Sequence, residues 1–286
     1  MKLASFSPAN SVDNSPRIGI VIDSGMVDTR KHLANCPSDM KILIDEWDQW
    51  AEKFKSLTTL KPDFALSGCH FHAPISRPGK IMGMGLNYSD HAAEANMELP
   101  KEQMWFCKAV TSVNGPYDPI QLPKASSKLD YEAELVFVIG KRCRHVSRED
   151  AKSVIFGYCV GNDVSVRDWQ FKSSQFNIGK SFDSHAPFGP WIVTPDEIDP
   201  HNRAIRCTVN GEERQNSNTS YFIFDCYDMV AFLSQAMTLE PGDIFYTGTP
   251  SGVGAVMTPP KWLKEGDIVR VEIEGIGAIE NRVLPE

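Results

Sequence analysis

No stretch of the sequence approaches the ~18 to 20 consecutive apolar residues that a membrane-spanning helix needs. Residues 1–16 likewise lack the apolar core of a secretion signal. The expectation from both absences is a cytoplasmic protein with no membrane partner. The seven cysteines (Cys36, Cys69, Cys107, Cys143, Cys159, Cys207 and Cys226) are odd in number, scattered and free of any Cys-x-x-Cys. That spacing argues against a disulfide framework or a zinc cluster and leaves reduced packing residues. Cys69, His70 and His72 lie close together but lack the second pair that a zinc site requires. Basic residues are in the minority, 29 against 37 acidic ones for a net charge of -8, which excludes an extended nucleic-acid surface. There is no Gly-x-Ser-x-Gly nucleophile, the glycine-rich loop at 247–254 has no P-loop lysine, and Gly83-x-Gly85 lacks the third glycine of a dinucleotide fingerprint. A small-molecule partner remains.

The sequence does supply a core. At 286 residues and 42% hydrophobic content, it accommodates one large domain with a small appendage. Short strand patterns open the chain at 2–6, 17–23 and 26–28, and a helical pattern over Met40 to Phe54 sets Ile42, Leu43, Trp47, Trp50 and Phe54 on one face. Pro74, Pro78 and Gly79 mark a connector, so the expected boundary divides a small N-terminal α/β domain, 1–72, from a main domain, 73–286. From residue 81 short strands predominate: an apolar run at 135–139, a hairpin signal at Asn210-Gly211, and strands at 244–246 and 268–273. A helix is expected within 222–238. The fold class is therefore α+β, mainly β.

The chemistry concentrates where charge meets this core. Residues two apart on a strand share a face, so Glu132 and Glu134, at the mouth of the buried run, aim at one spot. Asp163, at the end of the apolar segment 157–162, offers a third carboxylate. Oxygen-only ligands suit Mg2+ or Mn2+, with Ca2+ possible, better than Zn2+. Taken alone, a Glu-x-Glu pair is more often a half-exposed strand end with one solvated face, and an Asn-Asp pair such as Asn162-Asp163 is more often an ordinary turn. His91 and Glu94 stand three apart on a helical pattern, where a carboxylate can orient an imidazole as a general base; an exposed helix pair has the same spacing. Lys180 can neutralise a substrate anion, although a surface lysine is the commoner case, and Thr249 can present a hydroxyl to an oxyanion.

Taken together, these segments resemble the fumarylacetoacetate hydrolase family. The resemblance rests on Gly85-Leu86-Asn87-Tyr88-Ser89-Asp90-His91, Asp130-Tyr131-Glu132-Ala133-Glu134-Leu135, the run from Asn162 to Gln170, Gly179-Lys180-Ser181-Phe182-Asp183 and Thr247-Gly248-Thr249-Pro250-Ser251-Gly252. It implies a mixed β-roll or sandwich, usually a homodimer, with Mg2+ or Mn2+ held at Glu132, Glu134 and Asp163. His91 and Glu94 would be the catalytic dyad on a lid. Tyr88, Arg167, Gln170, Lys180 and Thr249 would contact a 2-oxo acid substrate. The sequence departs from the family pattern at Arg167-Asp168-Trp169-Gln170 and at Met104-Trp105-Phe106-Cys107-Lys108, beside the pocket. The activity implied first is hydrolysis of the C-C bond of an acylpyruvate, such as maleylpyruvate, fumarylpyruvate or a diketo sugar acid, releasing pyruvate. Decarboxylation of oxaloacetate, or hydration or isomerisation of a 2-oxo acid, follows from the same enolate-stabilising site.

Overall fold

The apolar run folds as strand β11 (Ala133–Ile139), buried along its whole length, and it sits inside the largest sheet. The computed structural model describes residues 1–9, 15–90 and 98–286. Its main sheet runs β4 (Phe64–Ala65), β3 (Gly25–Asp28), β2 (Arg17–Ile22), β1 (Lys2–Pro8), β14 (Ala186–Val193), β12 (Ile155–Asn162), β11, β17 (Ile244–Tyr246), β6 (Ile81–Gly85) and β7 (Met104–Cys107). Neighbours are antiparallel except β17 and β6. A second sheet runs β16 (Glu212–Asn218), β15 (Ala204–Val209), β18 (Ile268–Ile273), β19 (Gly277–Pro285) and β9 (Ile120–Leu122). Short pairings add β5 (Cys69–Phe71) to β1, β8 (Val113–Asn114) to β14, and β10 (Leu129–Asp130) to β13 (Ser165–Val166). The fold is mixed α+β, mainly β, as expected.

Strand periodicity sorts β11 between two cores. Leu135, Phe137 and Ile139 point toward the second sheet and the helix Cys226–Ala236, where they pack with Val269, Val271 and Met229. Val136 and Val138 point the other way, onto Leu43, Trp50 and Phe54. Both faces being covered, the strand reads as a continuous apolar run rather than an alternation. The N-terminal strands extend this same sheet through the β1–β14 pairing, and Leu3, Ile18 and Ile20 share a core with Val136 and Phe188. The connector near residue 73 marks no break in that sheet.

Local chemistry accounts for the departures. The helical pattern at 40–54 is two helices, Met40–Asp45 and Trp47–Leu57, because Glu46 leaves the helical region (φ -96°, ψ 11°) while its carboxylate accepts the Trp50 indole N–H at 3.1 Å. The offset turns Ile42 outward, 52% exposed, against the one-face expectation. The helix expected within 222–238 starts only at Cys226, since Asp225 and Asp228 form a reciprocal capping box. At the β15–β16 hairpin, Asn210 and Gly211 both take positive φ (53° and 79°), as a type I′ turn demands. No helix among the described residues is long and apolar enough to cross a membrane.

Candidate active site

Three strand ends meet at the site. The β11–β12 register pairs Ala133 with Asn162, and one further bond, Asp163 N–H to the Glu132 carbonyl at 2.9 Å, sets Asp163 beside Glu132. The Asn162 side chain accepts the Glu132 N–H at 2.9 Å and locks that corner. Beyond β17 the chain continues along β11: Thr247 donates its hydroxyl to Leu135 O, Gly248 its N–H to Glu134 Oε2 at 2.7 Å, and Thr249 its hydroxyl to Ala133 O. Gly248 is required here. Its φ is 93°, and a Cβ would lie 2.7 Å from Asn87 Cβ. The result is a buried triad in which ligand oxygens of Glu132, Glu134 and Asp163 all lie within 4.8 Å of one another.

Cations surround this triad unevenly. Lys180 Nζ bridges Glu132 Oε2 at 2.6 Å and Asp163 Oδ2 at 2.8 Å. Arg167 Nη1 lies 2.6 Å from Glu132 Oε1, and its Nε lies 2.9 Å from Asp130 Oδ2. Lys108 Nζ, fully buried, contacts Asp163 Oδ1 at 2.5 Å. Burial opposes ionisation of Glu132, but Lys180 and Arg167 override it and hold its carboxyl down at about 2. Glu134 fares oppositely: burial, then the charges of Asp163 and Glu132, push its carboxyl up. Its Oε1 is buried with no hydrogen-bond partner among the described residues. A hard divalent cation fits this donor set, since it would supply the partner Oε1 lacks and offset the repulsion among the carboxylates.

The triad adjoins a cleft of about 250 Å³ lined by Glu132, Arg167, Gln170, Lys180 and Thr249 at a polar end and by apolar side chains elsewhere. Four of the five expected substrate contacts thus come together. Thr249 presents a hydroxyl already engaged, donating to Ala133 O and accepting from Gln215 Nε2 at 2.7 Å. Arg167 is oriented by Asp130 and Gln170, and its Nη2 is buried without a partner among the described residues. Tyr88 is placed differently from the rest: fully buried, edge-on to Phe222 at 4.8 Å, and outside the cleft lining. His91 and Glu94 lie outside the described residues. A larger groove of about 440 Å³ beside the helix Trp47–Leu57 contains none of these groups.

Three contributors carry no assigned role in the sequence pattern. Lys108 follows β7 in Phe106-x-Lys108 and meets Asp163 across 55 positions. Asp130 accepts the N–H groups of Tyr131, Gly254 and Ala255 as well as Arg167 Nε, tying the 252–256 loop to the site. Asn87, fully buried, donates to Phe224 O and Thr247 O and accepts Phe224 N–H. It anchors a backbone in which Leu86 takes φ 54°, uncommon for a branched side chain. The motifs containing Asp130 and Asn87 signal their importance but not these bonds.

Comparison with known proteins follows the same lines. Residues 80–284 match the family described as fumarylacetoacetate (FAA) hydrolase C-terminal. Over 290 residues, covering 99% of this chain and 90% of the relative, the sequence is 43% identical to a Xenopus laevis protein named oxaloacetate tautomerase fahd2, mitochondrial. Among solved structures, a putative HpcE protein from Mycobacterium smegmatis superposes with a TM-score of 0.89 at 34% identity, covering 100% of this chain and 99% of that one. Maleylpyruvate hydrolase from Sphingobium sp. SYK-6, in complex with manganese(II) and pyruvate, superposes with a TM-score of 0.84 at 31% identity and the same coverage. A sequence match of this extent, joined to the same fold along the whole chain, establishes that the protein belongs to the fumarylacetoacetate hydrolase family.

Proposed function

We propose that this chain is a divalent-metal-dependent enzyme that enolises 2-oxo acids, and that its reaction is the keto–enol tautomerisation of oxaloacetate. The observation that carries the reading is a buried carboxylate triad, in which Glu134 Oε1 has no partner among the described residues, next to a cleft whose polar end holds Arg167 and Lys180. The full-length likeness to a protein named oxaloacetate tautomerase supports the specific reaction. On that support we rank tautomerisation ahead of the acylpyruvate hydrolysis expected first from the sequence.

Glu132, Glu134 and Asp163 would hold Mg2+ or Mn2+. A cation there supplies Lewis-acid polarisation of a carbonyl and offsets negative charge developing on it. The chain's own groups do the rest. Arg167 Nη2 donates to a substrate carboxylate, and Lys180 Nζ, fixed by two carboxylates, gives positive charge near the 2-oxo oxygen. The apolar walls exclude water and strengthen both interactions. We assign proton transfer at C3 to His91, oriented by Glu94.

The test follows the ultraviolet absorbance of the oxaloacetate enol, with Mg2+ or Mn2+ supplied and then removed by EDTA. Metal-dependent acceleration of enol decay, lost in Glu132→Ala, is expected. Acylpyruvate hydrolysis is the second reading, favoured by the likeness to a hydrolase bound to manganese(II) and pyruvate. Pyruvate release from acylpyruvates without enol decay would replace the first reading by it.

A further inference from the structure

Away from its polar end the cleft changes character. Met84, Met104, Phe106, Phe171, Phe176 and Val256 make up most of the remaining wall. Phe106 and Phe176 meet edge-on at 6.2 Å, and Phe176 and Phe171 at 5.9 Å, giving a continuous aromatic face. Phe171 is 66% exposed and Val256 41%, so apolar area is available for a ligand to cover. The charged side chains of the described lining are Glu132, Arg167 and Lys180, and both cations touch Glu132. Lys180 Nζ lies 5.0 Å from the Phe106 ring centroid, where the polar end meets the aromatic wall; beyond it, along the outer wall of Phe176 and Phe171, no cation stands among the described lining residues. A carboxylate set against that wall would lose hydration without gaining a partner. An aryl ring would gain burial and ring contacts instead. A four-carbon diacid keeps both carboxylates near the cations and leaves the aromatic face bare.

From this division we infer that the site also takes monocarboxylic 2-oxo acids bearing an aryl group on C3, and interconverts their keto and enol forms. The inference rests on the enolising reading of the site. Its step balances without a co-reactant: a proton leaves C3, the C–H pair becomes the C2–C3 π bond, the carbonyl π pair moves to oxygen, and that oxygen takes up a proton. The carboxylate stays at the polar end while the aryl group lies along Phe171 and Phe176.

Phenylpyruvate and oxaloacetate enols are compared on the Mg2+-loaded protein, alongside calorimetric titration with 3-phenyllactate, which cannot tautomerise. Phe171→Ala and Val256→Ala sit at exposed positions and spare the cores. Expected are metal-dependent turnover of phenylpyruvate, and in each variant a roughly tenfold fall in the phenylpyruvate-to-oxaloacetate ratio of kcat/KM, equivalent to about 1.4 kcal/mol. Weaker binding of 3-phenyllactate should accompany it. Turnover of oxaloacetate alone would overturn the inference and leave the tautomerase reading intact. Phenylpyruvate turnover indifferent to both substitutions would also overturn it, by removing the aromatic wall from recognition. Turnover of neither enol would end both readings. Turnover of phenylpyruvate alone would uphold the inference and make oxaloacetate the wrong substrate.

Discussion

Lys180 stands between two demands. Its ammonium compensates Glu132 and Asp163 in the protein, yet it also repels any cation those carboxylates would hold. Lys180→Met should therefore bind Mn2+ tighter, by about tenfold or more, as the nearby positive charge is removed. Turnover should fall ~10²-fold or more through loss of electrostatic stabilisation. Manganese titration by paramagnetic resonance, set beside enol-decay kinetics, separates the two effects; weaker Mn2+ binding would mean that Lys180 orders the ligands rather than competing with their cation. Asp130 differs in kind, because it receives four donors and has no place in the cleft lining. Asp130→Ala leaves Arg167 Nε and three loop N–H groups without their acceptor, and should cost ~3–5 kcal/mol in urea-unfolding stability. His185 gives a pH signature. Burial holds its imidazole down at about 3 while Nε2 donates to Gln121 O. The folded state therefore keeps it neutral where the unfolded chain, at an ordinary value near 6.5, takes up a proton. Stability is full above 6.5 and is lost as pH falls toward 3, at up to about 1.4 kcal/mol per pH unit. A melting-temperature series against pH should be shallower in His185→Gln over that window.

At the scale of elements, the stretch after β17 matters most, since three consecutive residues there bond to β11 and one of them holds Glu134. Gly248→Ala places a methyl against Asn87 in a left-handed backbone. It should destabilise the protein by ~1–3 kcal/mol and weaken Mn2+ binding through displacement of Glu134, measurable by urea unfolding and the same metal titration. This element also divides what was legible from what was not. Glu132 and Glu134 could be paired from sequence because strand periodicity is local and fixes which neighbours share a face. Asp163 was legible as a candidate third carboxylate at the end of its apolar segment, and the motifs of the family resemblance strengthened that grouping; its place beside Glu132 rests on the β11–β12 register, which is not a local property. The Lys108–Asp163 and Asp130–Arg167 pairs, 55 and 37 positions apart, depend on sheet order, which hydrophobic patterning leaves open. Tyr88, within a motif beside the pocket, sets its ring edge-on to Phe222, a contact between residues 134 positions apart that the motif does not register. The helix at 40–54 was visible in outline, whereas its break depends on one Glu46–Trp50 bond that periodicity cannot register.

For the molecule as a whole, the continuous sheet makes the N-terminal segment part of the catalytic framework. Leu3 and Ile20 share a core with Val136, and Val136 shares a strand with Glu134. Unfolding should therefore proceed as one cooperative transition, with calorimetric and spectroscopic melting curves coinciding. Two separated transitions would mean that residues 1–72 hold together independently of the rest.

Gln215 brings these scales together. From β16 in the second sheet its amide accepts Ala133 N–H and donates to Thr249 Oγ1 and Pro250 O. One side chain thus rivets the outer sheet to the backbone beside the carboxylates. A ligand that tightens the cleft must pull on that rivet, so occupancy of the site should be readable as slower amide exchange in the β15–β16 hairpin, on a surface the ligand never touches.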